Sequence, residues 1–238
     1  MKTTFLFLPG FLLFLLGLTP TWVYSQAIGS DFAGFRSIRG YAGPIYSHIT
    51  PLKQDYLVNL LAPYQLPARQ LNPATNHGLY LSYYRNRLFT SLIVAFNLRD
   101  TEELRGFRSS LSQSVYGGSV GVNVLRIGSF VLSPYAGLRY NRYRNILSRQ
   151  PRQLSLPDYL EAREVDLRLV QWSGAVGGNF SFQYKNLFSF GLYAEYLQPL
   201  HAQPLLYSSG NKLLHSQSAF LNRYSFGIGL GYGGSSNH

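Results

Sequence analysis

The side chains with the widest chemical reach are five histidines, His48, His77, His201, His215 and His238, in a 238-residue chain without cysteine. Lacking thiols, it offers no zinc–thiolate site, iron–sulfur cluster, disulfide scaffold or cysteine nucleophile. No two histidines have the i, i+4 spacing that aims imidazoles at one metal, so neither a metal nor a cofactor is expected. His215 and Ser216 would suit a hydrolase, but no acid lies between residues 196 and 238 to orient the imidazole. The Gly227–Gly231 run alternates glycine with bulky residues, yet no helix follows it to receive a phosphate. What remains is ionic. Glu195 faces Arg139 and Arg223 as candidates for an ion-pair network, with Asp166 and Arg168 as further members. Arg142, Arg144, Arg149, Arg152 and Arg163 crowd one segment with Asp158, Glu161 and Glu164. Guanidinium forks suit phosphate and carboxylate, so that segment either contacts anions or is a solvated loop holding its own ion pairs.

The elements that must position these groups follow from composition and period. Only 13% of residues are charged and 16% are aromatic, and the formal charge is +11. That is too apolar for a disordered chain. The basic residues form no concentrated stripe of the kind nucleic acid would need, so no nucleic-acid partner is expected. Met1-Lys2, the apolar run Phe5–Leu18 and the small residues of Val23-Tyr24-Ser25 read as a signal peptide over residues 1–25, with export following cleavage. Beyond it no stretch is long and apolar enough for a membrane helix.

Instead the apolar residues recur every second position. In Leu88–Leu98 the set Leu88, Leu92, Val94, Phe96 alternates with Phe89, Ser91, Ile93, Ala95. Residues 115–124, 130–140, 187–196 and 220–232 repeat the split. Period two marks strands. Runs of about ten residues match a tilted strand crossing a bilayer. Aromatic residues cluster at the ends of the runs, as an interfacial girdle requires. Backbone groups in hydrocarbon must all be paired, so such strands demand a closed barrel.

The expected architecture is all-β: a transmembrane, antiparallel, up-and-down barrel over residues 26–238. Seven strands read directly, at 77–84, 88–98, 114–125, 130–140, 165–184, 187–196 and 219–232. An even number needs an eighth before residue 77. Ile28–Gly40 is the favoured position, with Leu57–Leu61 as competitor or as a short helix in a loop. Short turns near residues 85–87, 126–128 and 185–186 alternate with long outer loops at about 41–76, 99–113, 141–164 and 197–218. The alternation slips within 165–184, where Val165, Leu167 and Leu169 give way to Trp172, Val176, Phe180 and Phe182. A β-bulge near Val170–Gln171 would restore the phase. Arg139, Glu195 and Arg223 then face the lumen, which an eight-stranded barrel fills with side chains.

In this architecture the chain resembles the small eight-stranded outer-membrane barrels of the OmpX and OmpA-barrel type. That resemblance implies a packed polar interior and a role in adhesion, anchoring or a larger assembly. Leu71-Asn72-Pro73-Ala74, Gly78 and Tyr84-Arg85-Asn86 are locally similar to the opening of the PorP/SprF family linked to secretion and gliding. Small-barrel lipid A deacylases place His and Ser on a strand near the outer leaflet, but the spacing at His215 departs from theirs. The expected function is non-catalytic: a structural or accessory subunit of a cell-envelope complex. Its partners would be outer-membrane lipid, lipopolysaccharide and other outer-membrane or periplasmic proteins. A lipid-modifying enzyme and a small porin-like channel are the rivals, and a soluble exported sandwich is the rival at the level of fold.

Overall fold

The computed structural model describes residues 38–236 except 52, 67, 69, 86, 98–99, 105–106, 150–163, 185–186, 205, 208–209 and 213–219. The proposed signal peptide therefore lies outside the described residues. Eight long strands build the wall: β1 Ile38–Pro51, β2 Ala74–Arg85, β3 Leu88–Phe96 and β4 Phe107–Val122 form its first half. The second half is β5 Phe130–Arg149, β6 Val165–Tyr184, β7 Phe188–Ala202 and β8 Asn222–Ser236. Each pairs antiparallel with its sequence neighbours, and β8 pairs with β1, so the sheet closes on itself. Every strand in the membrane-sized part of the wall has two partners. This is an up-and-down barrel.

The first strand is not where the sequence placed it. β1 begins at Ile38, and Tyr41, Ile45, Ser47 and Ile49 alternate inward while Ala42, Pro44, Tyr46 and His48 are exposed. Residues 28–37 lie outside the described residues, and 41–51 are strand rather than outer loop. Gly43-Pro44 hides the strand by reading as a turn. Proline has no N–H to donate, and the ladder to β8 skips Gly43 and Pro44 while continuing in register on either side. Leu57–Leu61 falls in a short helix, α1 (Tyr56–Leu61), as the second of its two readings allowed.

The long loops are also shorter than expected. β4, β5, β6 and β7 run past the membrane-sized segment, and Asp100–Leu104 pairs with Phe107–Leu111 as a hairpin. One side of the barrel thus stands as a tall wall. Along it the polarity of the faces reverses. Between Phe130 and Tyr140 the outward residues are apolar, whereas above Tyr140 they are Arg142 and Arg144, both exposed. Inward, serine and asparagine give way to Leu111, Leu147, Leu167 and Leu169, which pack with Leu57, Leu61, Leu71 and Leu221 into a second core. Lipid explains the first arrangement and water the second: the apolar face turns toward whatever lies away from water.

This reversal removes the bulge expected in Val165–Tyr184. The strand keeps one phase against β5 from Leu147↔Val165 to Phe130↔Phe182. Leu167 and Leu169 point inward with Gln171, Ser173 and Ala175, so only the chemistry of the face changes. The irregularity is on the other edge: between Trp172 and Ser173 the pairing to β7 shifts by one, leaving Leu200 unpaired and exposed.

Candidate functional site

The lumen at mid-height holds the ion pair of Arg139 with Glu195 and the groups bonded to it. Arg139 donates from Nε to Glu195 Oε1 at 3.0 Å and from Nη2 to Oε2 at 2.6 Å, and both side chains are only 2% exposed. Tyr135 donates to the same Oε2 at 3.0 Å. The guanidinium also reaches Ser119 Oγ at 2.9 Å and the Gly118 and Leu138 carbonyls at 3.1 Å. A buried charge costs several kcal/mol unless it is paired and its remaining donors are used. Here they are used. Gly117 makes room for this arginine: a Cβ there would lie 2.5 Å from Arg139 Cδ.

Below the pair lies an aromatic layer. Tyr84 contacts Phe89 with ring centroids 5.2 Å apart, and Phe89 contacts Tyr135 at 6.0 Å. Tyr84 donates to Ser181 and accepts from Asn179 across the barrel. The glycine run of β8 is the floor for this packing. Added Cβ atoms at Gly227 and Gly229 would meet the rings of Tyr193 and Tyr80 at 2.2 and 3.0 Å. The alternating glycines therefore admit tyrosines, not phosphate. Above the pair, Gln171 and Tyr143 both donate to the side-chain oxygen Oδ1 of Asn222, and Gln171 accepts from the Leu221 N–H at 2.9 Å. Gln113 reaches Tyr143 at 2.9 Å. The leucine core and α1 close the mouth over this polar ring.

Of the residues expected in the lumen network, the structure brings together Arg139 and Glu195. Arg223 is not with them: it is exposed, its guanidinium 5.4 Å from the Tyr224 ring centroid. The pairing of β8 to β1 shifts between Thr50↔Tyr224 and Pro51↔Asn222, which leaves Arg223 as the extra residue. That bulge turns Arg223 and Tyr224 outward together and gives the inner place to Asn222.

Asp166 and Arg168 are likewise on the outer face of the tall wall. Asp166 takes Arg144 and Arg168, each at 2.9 Å. Burial alone would raise the Asp166 carboxyl, but the hydrogen bonds and charges of Arg144 and Arg168 outweigh it and hold the group below the usual carboxylate range. Among the candidate anion contacts, Arg142 and Arg144 are exposed on β5 just above Tyr140, and Arg149 belongs to its last position. Arg152, Arg163, Asp158 and Glu161 lie outside the described residues, as do His215 and Ser216. His48 and His201 are exposed, and His77 lies edge-on to Tyr46. Among the described residues no three metal-ligating side chains come together.

The outer wall carries its own order. Tyr116, Tyr140 and Trp172 form one aromatic row, with Tyr196 and Tyr224 alongside. Phe130, Phe180, Phe182 and Tyr184 form another at the short-turn end, with Phe188 against Tyr232. From Phe130 to Tyr140 the chain climbs about 33 Å, or about 24 Å along the axis at a tilt near 45°. Leu79, Leu81, Leu92, Val94, Val120 and Leu138 fill the space between, all exposed.

Neither a protein family nor a curated protein matches the sequence. Among solved structures, the chain is similar to Ail, the attachment invasion locus protein of Yersinia pestis, crystallised in complex with the heparin analogue sucrose octasulfate. Identity is 12%, coverage 83% of this chain and 97% of Ail, and the TM-score 0.44. It is similar at the same TM-score, 0.44, to the outer membrane protein OprG of Pseudomonas aeruginosa (12% identity, covering 85% and 96%). A major outer membrane protein from Thermus thermophilus gives 13% identity, 83% and 99% coverage, and a TM-score of 0.44. The closure of this barrel rests on its own strand pairing.

Proposed function

We propose that the protein is an outer-membrane barrel with a sealed lumen, working without catalysis as a structural or accessory subunit of a cell-envelope complex. The observation that carries this reading is the combined geometry of wall and interior. An apolar band of about the height of bilayer hydrocarbon runs between two aromatic rows. Inside it the Arg139–Glu195 pair and the leucine core occupy the path a solute would take. A lipid-facing wall around a filled lumen favours the outer surface as the working part. The tall wall, with Arg142 exposed just above Tyr140, supports contacts to lipopolysaccharide phosphates and partner proteins. The local similarity at Leu71–Asn86 makes a secretion or gliding assembly the first to examine.

Two measurements test this. Mild-detergent capture of the tagged protein from outer membranes should recover a constant set of envelope proteins, and recovery as a lone monomer at every detergent strength would overturn the subunit role. Planar-bilayer recordings should be flat, and discrete openings of the wild-type protein would support a channel instead.

A further inference from the structure

The charges at the two ends of the barrel are distributed differently. At the long-loop end, basic and acidic residues mix: Lys53, Arg108, Arg142, Arg144 and Arg168 stand with Asp55, Glu102, Glu103, Glu164 and Asp166. At the other end the sequence joining the long strands reads Arg85-Asn86-Arg87, Leu125-Arg126-Ile127 and Lys185-Asn186-Leu187, without one Asp or Glu. Arg85 and Arg87 are exposed, and Arg85 continues the outward row of Leu79, Leu81 and Tyr83. Apolar residues accompany the cations: Leu88, Leu125, Ile127 and Leu187 are 42%, 42%, 63% and 63% exposed. The first two segments are also contiguous, since the Asn123 N–H donates to the Arg87 carbonyl at 2.7 Å. Arg85, Arg87 and Leu125–Ile127 sit just beyond the Phe130, Phe182 and Tyr184 row, at the depth where a bilayer has its headgroups.

We infer that this rim is a binding surface for anionic phospholipid, of the phosphatidylglycerol class, in the leaflet at the short-turn end. The inference rests on the membrane-spanning reading above. A water-facing site for an acidic protein has no use for leucine and isoleucine exposed beside each cation. A headgroup layer suits both: the apolar side chains enter the acyl region while the guanidinium forks take phosphate oxygens. A cation close to a charged membrane surface contributes about 1 kcal/mol, or about fivefold in affinity.

The test reconstitutes the full chain into nanodiscs containing equal phosphatidylglycerol and phosphatidylethanolamine, then releases it for native mass spectrometry of the lipids it retains. Wild type should retain phosphatidylglycerol over phosphatidylethanolamine by tenfold or more, a preference that added salt weakens. R85Q/R87Q should cut that preference at least fivefold, R85K/R87K should keep most of it, and R108Q at the opposite end should leave it unchanged. A heat-shift gel shows that each variant is folded, and the salt titration of wild type needs no variant. Equal retention of the two lipids by an inserted wild-type barrel overturns this inference and leaves the membrane reading intact. Loss of preference in R108Q rather than R85Q/R87Q assigns the lipid to the wrong end and overturns it too. Failure of wild type to enter any bilayer overturns both.

Discussion

Glu195 accepts two hydrogen bonds from one guanidinium and a third from a phenol, all inside a lumen that excludes water from the pair. Such a pair contributes little over well-packed apolar residues, but breaking it strands a charge. E195A should therefore lose about 3–5 kcal/mol of stability, while the double variant R139M/E195L should recover most of the loss. Urea unfolding of the vesicle-inserted barrel, followed by Trp172 fluorescence, measures both; equal losses in single and double variants would refute the pairing argument. The glycines of β8 make a steric counterpart. G227A puts a methyl into the Tyr193 ring, whereas Gly178 has nothing within 4 Å of an added Cβ. The same unfolding assay should show G227A destabilised by about 1–3 kcal/mol and G178A close to wild type, the range expected for overpacking against open space.

Strands with lipid on one face could be read directly from period two, and so could the inward direction of Arg139 and Glu195, because both lie in segments whose phase never changes. What escaped were places where the solvent changes along the strand or an extra residue enters it. Leu167 and Leu169 looked outward because a leucine in a barrel strand was expected to meet lipid; above the aromatic row the apolar side is the inside, and the second core collects them. Arg223 obeyed the alternation of Ser225 and Gly227 until a one-residue shift against β1 turned it outward. Period counting cannot see a bulge, since the extra residue is defined only by the partner strand. The leucines of the outer core carried a readable signal, an alternation surviving inside arginine-rich sequence. At this scale Asp166 links β6 to β5 through Arg144, with Arg168 of its own strand on the same carboxyl. Its carboxyl is held below its unfolded value, so its contribution is complete above about pH 4 and is lost as pH falls through the lower, folded value. Both arginines are partly exposed, so the effect is small and local. Amide protection factors, taken against intrinsic rates at each pH, should fall below about pH 4 at residues 144–149 and 165–168, and D166N should show the lower protection already at neutral pH.

Across the whole molecule, two of the layers that fill the lumen among the described residues stand in series and are of unlike materials. The lower seal is ionic, Arg139 with Glu195, and the upper is apolar, with Leu57 and Leu61 of α1 packed among Leu71, Leu111, Leu147, Leu167, Leu169 and Leu221. Resistances in series add, so removing either alone leaves the other to block ions. α1 is six residues long, with no side-chain cap on its first turn, and isolated helices of that length do not persist in water. Its place is therefore held by Leu57 and Leu61, and L57D/L61D should release the segment, because two buried carboxylates without partners cost more than that packing returns. Released, residues 53–71 should become cleavable by protease while the barrel keeps its heat-shifted mobility, since no residue of α1 contributes to the strand ladder. Bilayer traces of L57D/L61D should stay flat, as should those of R139S/E195S, and only the four-fold variant should conduct. Steady current from L57D/L61D alone would mean that the Arg139–Glu195 layer does not seal. Silence from the four-fold variant, folded by heat-shift gel, would mean that Tyr80, Tyr84, Phe89 and Tyr193 form a third barrier below them.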